Sequence, residues 1–401
     1  MNTNLKEINE SPIKDSRKLN ESSSHSTNKF VQTENYLKSK YNFRYNKISL
    51  TIEGKLKDDK AFKPINENDL YLELNKNQIQ ISLNNLLAIL KSSFVKEFDP
   101  LKNYFESLPE WNWQTDYIGE LCSFVNSKNP EQFYSNFKKW LVRVVATALD
   151  DYFFNKQAFI LVHKQQNSGK STFCRFLCPQ ELSDYIAEDI TFDKDSRILL
   201  AKNVLINLDE LSTLSRVDVN KLKSWFSKDK INERLPYDRK NSIINRRCSF
   251  MGSTNLNEFL TDETGSVRWL CFEISGIDWS YKQKVNINSV YSQAYALYKS
   301  GTFNYNMTKE EIQENEIRNK DYEVLSLELE LIAKHFKPDT ELNEVNFKTA
   351  TDITSRLIYL TDYKFKLNKI QIGKALVSLG YERARNKKKI FGYYIQETFI
   401  N

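Results

Sequence analysis

The tightest constraint on the fold is a junction near the middle of the chain. Five apolar residues, Ala158-Phe159-Ile160-Leu161-Val162, run almost directly into Gln165-Gln166-Asn167-Ser168-Gly169-Lys170-Ser171-Thr172, and a helical pattern follows in Phe173-Cys174-Arg175-Phe176-Leu177. A short unbroken apolar run fits a strand buried on both faces of a parallel sheet. Two further runs, at 204–208 and 248–252, repeat the pattern with helical segments between. Strands alternating with helices define an α/β core with a parallel sheet.

The junction also carries chemistry. Strand, loop, Gly-Lys-Ser and helix form the arrangement of a phosphate-binding loop. Backbone N–H groups of such a loop and of the helix start face an anion. Gln166, Asn167, Ser168, Gly169, Lys170, Ser171 and Thr172 are therefore candidate phosphate-binding residues. Lys170 would neutralise the β- and γ-phosphates, and the Ser171 hydroxyl would ligate Mg²⁺. Gly169 lets the backbone approach closely. Lys164 stands where the usual motif begins with Gly.

Thirty-nine residues after Lys170, the second apolar run ends in Asp209-Glu210. Asp209 is a candidate Mg²⁺ ligand and Glu210 a candidate general base toward water. The third run ends in Gly252-Ser253-Thr254-Asn255, and Asn255 is a candidate γ-phosphate sensor. Arg268, in Thr264-Gly265-Ser266-Val267-Arg268-Trp269, is a candidate arginine finger for an adjacent subunit. Taken singly, these are an exposed turn, an acidic turn, a strand end and a surface ion pair. Their order points to ATP with Mg²⁺.

The four pieces resemble the virulence-associated E family and its relatives, the superfamily 3 helicases of the AAA+ class. The resemblance is clearest over residues 154–279, where Arg234-Leu235-Pro236-Tyr237-Asp238-Arg239 also looks like the family's basic segment. Upstream, Tyr41-Asn42-Phe43-Arg44-Tyr45-Asn46 looks like the lead-in of mobile-element primase–helicases. The resemblance implies a homo-oligomeric ring, often a hexamer, moving on DNA during replication of a phage or mobile element. It also makes Lys228, Lys230, Arg239 and Lys240 candidate contacts to single-stranded DNA in a channel, which would be sequence-independent and salt-sensitive.

Around this core we expect a disordered, Ser- and Asn-rich tail over 1–34, a mainly helical domain over 35–150, the core over 151–280 and a helical connector over 281–345. A basic winged-helix-like domain is expected over 346–401. That last segment has eleven Lys or Arg against four Asp or Glu, a surplus larger than the +6 of the whole chain. Lys369, Lys374, Arg383, Arg385, Lys387, Lys388 and Lys389 are its candidate DNA contacts, with duplex DNA the expected partner. Thr351-Asp352 is read as a helix cap.

Five cysteines without a CxxC pair and three histidines argue against zinc. No apolar run is long enough to span a bilayer, and a cytoplasmic location is expected. The N-terminal part shows no paired-carboxylate cluster for primer synthesis, so a primase would be a separate partner. The reading is an ATP-hydrolysing DNA helicase or translocase. An ATP-switched DNA-binding assembly factor and a nucleotide-regulated defence ATPase without unwinding stay open.

Overall fold

The computed structural model describes residues 28–398 except 189, 192, 210, 212–215, 235–239, 257, 261–266, 325 and 387. The chain divides into two compact units, ending and beginning at Phe98 and Asp99. The division falls inside the stretch expected as one domain over 35–150.

The first unit contains α1 (Lys29–Lys40), β1 (Tyr41–Asn46), β2 (Thr51–Leu56), β3 (Lys63–Pro64), α2 (Glu67–Lys76), α3 (Leu83–Leu90) and β4 (Lys96–Phe98). Its sheet has the order β3-β2-β1-β4, and Leu37, Leu70, Leu74, Leu86 and Leu90 form its core with their neighbours. One expectation is corrected here. Helix α1 occupies part of the stretch assigned to a tail up to residue 34, with Asn28 capping it through Phe30 N at 2.9 Å. Residues 47–50 form the turn between β1 and β2, with Leu50 at φ 61°.

The second unit begins with α4 (Pro100–Ser107), α5 (Tyr117–Ser123), β5 (Val125–Ser127) and α6 (Pro130–Leu149). It continues through β6 (Ala158–Val162), α7 (Lys170–Phe176), β7 (Ile186–Glu188), α8 (Lys194–Lys202), β8 (Leu205–Leu208) and α9 (Arg216–Phe226). Then come β9 (Lys230–Glu233), β10 (Ser242–Asn245), β11 (Ser249–Thr254), β12 (Trp269–Ile277), α10 (Tyr281–Lys284), α11 (Ile287–Ser300) and α12 (Lys309–Asn319).

The central sheet has the order β5-β12-β6-β11-β8-β7. β12, β6, β11, β8 and β7 are parallel to one another, and β5 runs antiparallel to β12. Every residue of β6 is buried, which explains its unbroken apolar sequence. Phe159 meets Phe133, Phe137 and Trp140 of α6 and Phe272 of β12 on one face. Ala158, Ile160 and Val162 join a second core that includes Leu222 and Phe226 of α9. Each large side chain so buried stabilises the fold by about 1.5–3 kcal/mol. β9 and β10 form a separate antiparallel hairpin between β8 and β11.

The C-terminal part comprises α13 (Leu327–His335), β13 (Phe336–Pro338), β14 (Phe347–Lys348), α14 (Ala350–Leu360), α15 (Lys369–Ser378), β15 (Ala384–Arg385) and β16 (Phe391–Glu397). β16 pairs antiparallel with β13, β14 and β15, and α13, α14 and α15 pack around Ile332, Leu357, Ile372, Leu376 and Ile395. This core starts near residue 327, ahead of the expected boundary at 346. The expected connector over 281–345 is thus shared out, because α11 packs on α5 and α6 while α13 belongs to the C-terminal core. Helix α14 is capped by Thr349, not Thr351, in a reciprocal capping box with Asp352. Among the described residues, no helix is long and apolar enough to cross a membrane.

Candidate functional site

Three strand ends converge at one edge of the central sheet. β6, β8 and β11 are parallel neighbours, so residues following their C-termini meet there. The loop after β6 turns at Asn167 (φ 57°) and Gly169 (φ 87°) before α7 begins. Gly169 is needed twice. Its φ is left-handed, and a Cβ would sit 2.9 Å from Trp279 Cζ2. Lys164, in the place of the usual first glycine, is not among the positive-φ residues, so the loop closes there without glycine.

Lys170 is buried, with its ammonium held above the loop. Its Nζ donates to Asn255 Oδ1 at 2.7 Å, Ser168 Oγ at 3.0 Å, Gln165 O at 3.2 Å and His163 O at 3.3 Å. Burial lowers its pKa, and the Asp209 carboxylate acts in the opposite direction. A cation kept by neutral acceptors and one carboxylate suits an incoming polyanion.

The Ser171 hydroxyl donates to Asp209 Oδ1 at 2.6 Å, and the Ser253 hydroxyl donates to the same oxygen at 2.7 Å. Gly252 makes the second contact possible. A Cβ there would lie 2.4 Å from Leu208 O, so glycine lets β11 close on β8 just before Ser253. Arg175 stands one turn after Ser171. Its Nε donates to Glu188 Oε1 at 2.7 Å, and its Nη2 lies 3.7 Å from Asp209 Oδ2. Asn207 also donates to Glu188, at 3.1 Å. The hydroxyls of Ser171 and Ser253 and the Asp209 carboxylate are hard oxygen donors. One carboxylate plus a hydroxyl suits Mg²⁺ that takes its other oxygens from phosphates and water. Among the described residues, no three His, Cys, Asp or Glu form a metal-binding group.

Lys170, Ser171, Asp209 and Asn255, four of the candidates from the sequence, come together in the structure. Ser253, Arg175 and Glu188 join them without having been candidates. Arg175 was detectable as i+4 from Ser171 on one helix. Glu188 ends a three-residue strand that the apolar pattern does not reveal. Gln166 and Asn167 are exposed in the loop, and Thr172 is half-buried in the first turn of α7. Glu210 lies outside the described residues.

Arg268 is elsewhere. It precedes β12 and its carbonyl accepts from Ala158 N at 2.9 Å, at the start of β6. The loop that carries Lys170 follows the other end of that strand, about 16 Å away at 3.3 Å per residue. Arg268 therefore cannot reach its own loop. Its Nε donates to Ser227 Oγ at 3.0 Å.

The basic residues between β8 and β11 divide into two kinds. Lys230 and Lys240 are exposed on the β9–β10 hairpin and Lys228 is half-buried at its base. Arg239 lies outside the described residues. Arg246, in contrast, is buried and donates to the carbonyls of Asn155, Trp225, Phe226, Lys228 and Cys248. Arg247 pairs with Asp151. Both serve packing, not an external anion.

In the C-terminal part, Lys369, Lys374, Arg383, Arg385, Lys388 and Lys389 are all exposed. The guanidinium carbons of Arg383 and Arg385 lie 4.1 and 4.2 Å from the centroid of the Phe391 ring. Lys387 lies outside the described residues.

The virulence-associated protein E-like domain model matches residues 105–324. The apo structure of the NrS-1 C-terminal region superposes with a TM-score of 0.50 at 12% identity, covering 92% of this chain and 99% of that one. A second apo form of that region gives 0.49 at 11%, covering 91% and 98%. At this identity the likeness is one of fold. A search of curated proteins returned no match.

Proposed function

The chain belongs to the virulence-associated protein E-like domain family, and from that premise we propose that it is an ATP-hydrolysing DNA helicase or translocase in the replication of a phage or mobile element. The observation that carries this reading is the convergence of Lys170, Ser171, Asp209, Ser253 and Asn255 at one sheet edge. The strand order, with the loop-bearing β6 between β11 and β12, supports an AAA+-type core.

The triphosphate lies along the loop. Lys170 exchanges its loop carbonyls for the β- and γ-phosphates, and Asn255, now bonded to Lys170, orients the γ-phosphate. Ser171 and Asp209 would hold Mg²⁺, which would offset phosphate charge. Glu210 accepts the proton of the attacking water as the bond to the γ-phosphate breaks, leaving ADP and phosphate. Arg268, out of reach of its own loop, completes the site of the next subunit in a homo-oligomeric ring, a hexamer by family resemblance.

The β9–β10 hairpin presents Lys228, Lys230 and Lys240 to single-stranded DNA in the channel. The C-terminal helices and strands form a winged helix, with α15 the groove-facing helix and Arg383, Arg385, Lys388 and Lys389 on the wing, gripping phosphates of duplex DNA. A forked duplex tests the output. Strand separation by the assembled, ATP-hydrolysing protein is expected. Hydrolysis without separation rejects the helicase and leaves an ATP-switched DNA-binding factor.

A further inference from the structure

The short segment between β12 and α10 places Trp279 against the phosphate loop at Gly169. Asp278 N donates to Phe124 O at 2.8 Å, and Asp278 Oδ1 accepts from Ser280 N at 2.9 Å. Tyr281 then packs edge-on against Phe173 and Phe176 of α7, with centroids at 5.4 and 4.8 Å. Trp279 is thereby held against Gly169, at the contact that excludes a Cβ there. The indole is nonetheless 47% exposed. A large aromatic ring fixed to a loop and left half open to solvent is available to a ligand.

The topology says which part of a ligand it would meet. β6 lies between β11 and β12. Asp209, Ser253 and Asn255 all stand on the β11 and β8 side of the loop, where the metal and the terminal phosphate belong. A triphosphate is a linear chain, so its nucleoside end leaves on the opposite side. That is the β12 side, where Trp279 sits. Lys282 Nζ lies 4.7 Å from the indole centroid, on an exposed and flexible stem that can yield the ring or turn to the first phosphate.

We propose that Trp279 is the nucleobase-contacting wall of the phosphate-loop site, stacking on the base of the bound nucleoside triphosphate. Stacking on a ring reads a π-face and not an edge, so the wall favours any nucleotide over bare polyphosphate. The inference rests on the triphosphate reading of the loop.

Equilibrium binding of ATP and of inorganic tripolyphosphate to the full chain tests it. Trp279→Ala is expected to weaken ATP about tenfold, from the usual strength of base–aromatic stacking, and to leave tripolyphosphate unchanged. Trp279→Phe is expected to keep most of the ATP affinity. In the wild type, ATP quenches tryptophan emission and tripolyphosphate does not, and the quench is lost in Trp279→Phe. Equal ATP affinity in Trp279→Ala, or parallel weakening of both ligands, overturns the proposal, since the ring would then only brace Gly169. The loop reading fails separately if Lys170→Ala binds ATP as the wild type does.

Discussion

The hairpin-bearing sheet region and the C-terminal part are both rich in Lys and Arg, yet only the first turns part of that charge inward. Around the sheet, Arg246 bonds five backbone carbonyls, Arg247 bonds Asp151, and Lys170 bonds three acceptors of its own loop and Asn255. In the C-terminal part, Arg383 and Arg385 share one aromatic ring at the surface and their charges face water. A count of positive residues treats the two regions alike. What separates them is whether internal acceptors exist, because a buried guanidinium must be matched by carbonyls or carboxylates, while an exposed one is free for phosphate.

The largest effect should come from breaking the internal kind. Arg246→Ala removes a donor from five carbonyls and is expected to cost about 3 kcal/mol, read as a lowered urea midpoint. An unchanged midpoint would mean that these carbonyls find water and that the arginine is not structural. The external kind should behave differently. Arg383→Ala with Arg385→Ala is expected to leave the urea midpoint nearly unchanged. The same change should weaken duplex binding about tenfold and lower the salt slope by about two. If the double variant unfolds the chain instead, the contrast between the two regions collapses. Lys230→Ala with Lys240→Ala should give a smaller loss, confined to single-stranded DNA. The smallest effect is at Thr349→Ala, where losing the cap of α14 should cost about 1 kcal/mol.

The parts that the sequence displayed are those with a one-dimensional signature. β6 was legible because burial on both faces demands an unbroken apolar run, and the meeting of Lys170, Ser171, Asp209 and Asn255 follows once those strands are parallel. The contribution of Ser253 was not, because it depends on how closely Gly252 lets β11 approach Leu208. Helix α11 looked like a connector because its buried residues, Val290, Tyr291, Ala294 and Leu297, alternate with Asn, Ser and Gln. Two of those polar residues, Ser292 and Gln293, are themselves buried and bonded to Pro109 O and to Asp116. Trp279 gave no signal at all. Its place against Gly169 depends on the parallel register of β12 beside β6.

We propose that the loop at Lys170 binds and hydrolyses ATP for work on DNA. The most direct test is the rate of phosphate release from ATP and Mg²⁺ by the full chain, with and without single-stranded DNA, for the wild type and Lys170→Ala. Hydrolysis is expected to rise with DNA and to fall to background in the variant. Turnover by Lys170→Ala equal to the wild type would contradict it.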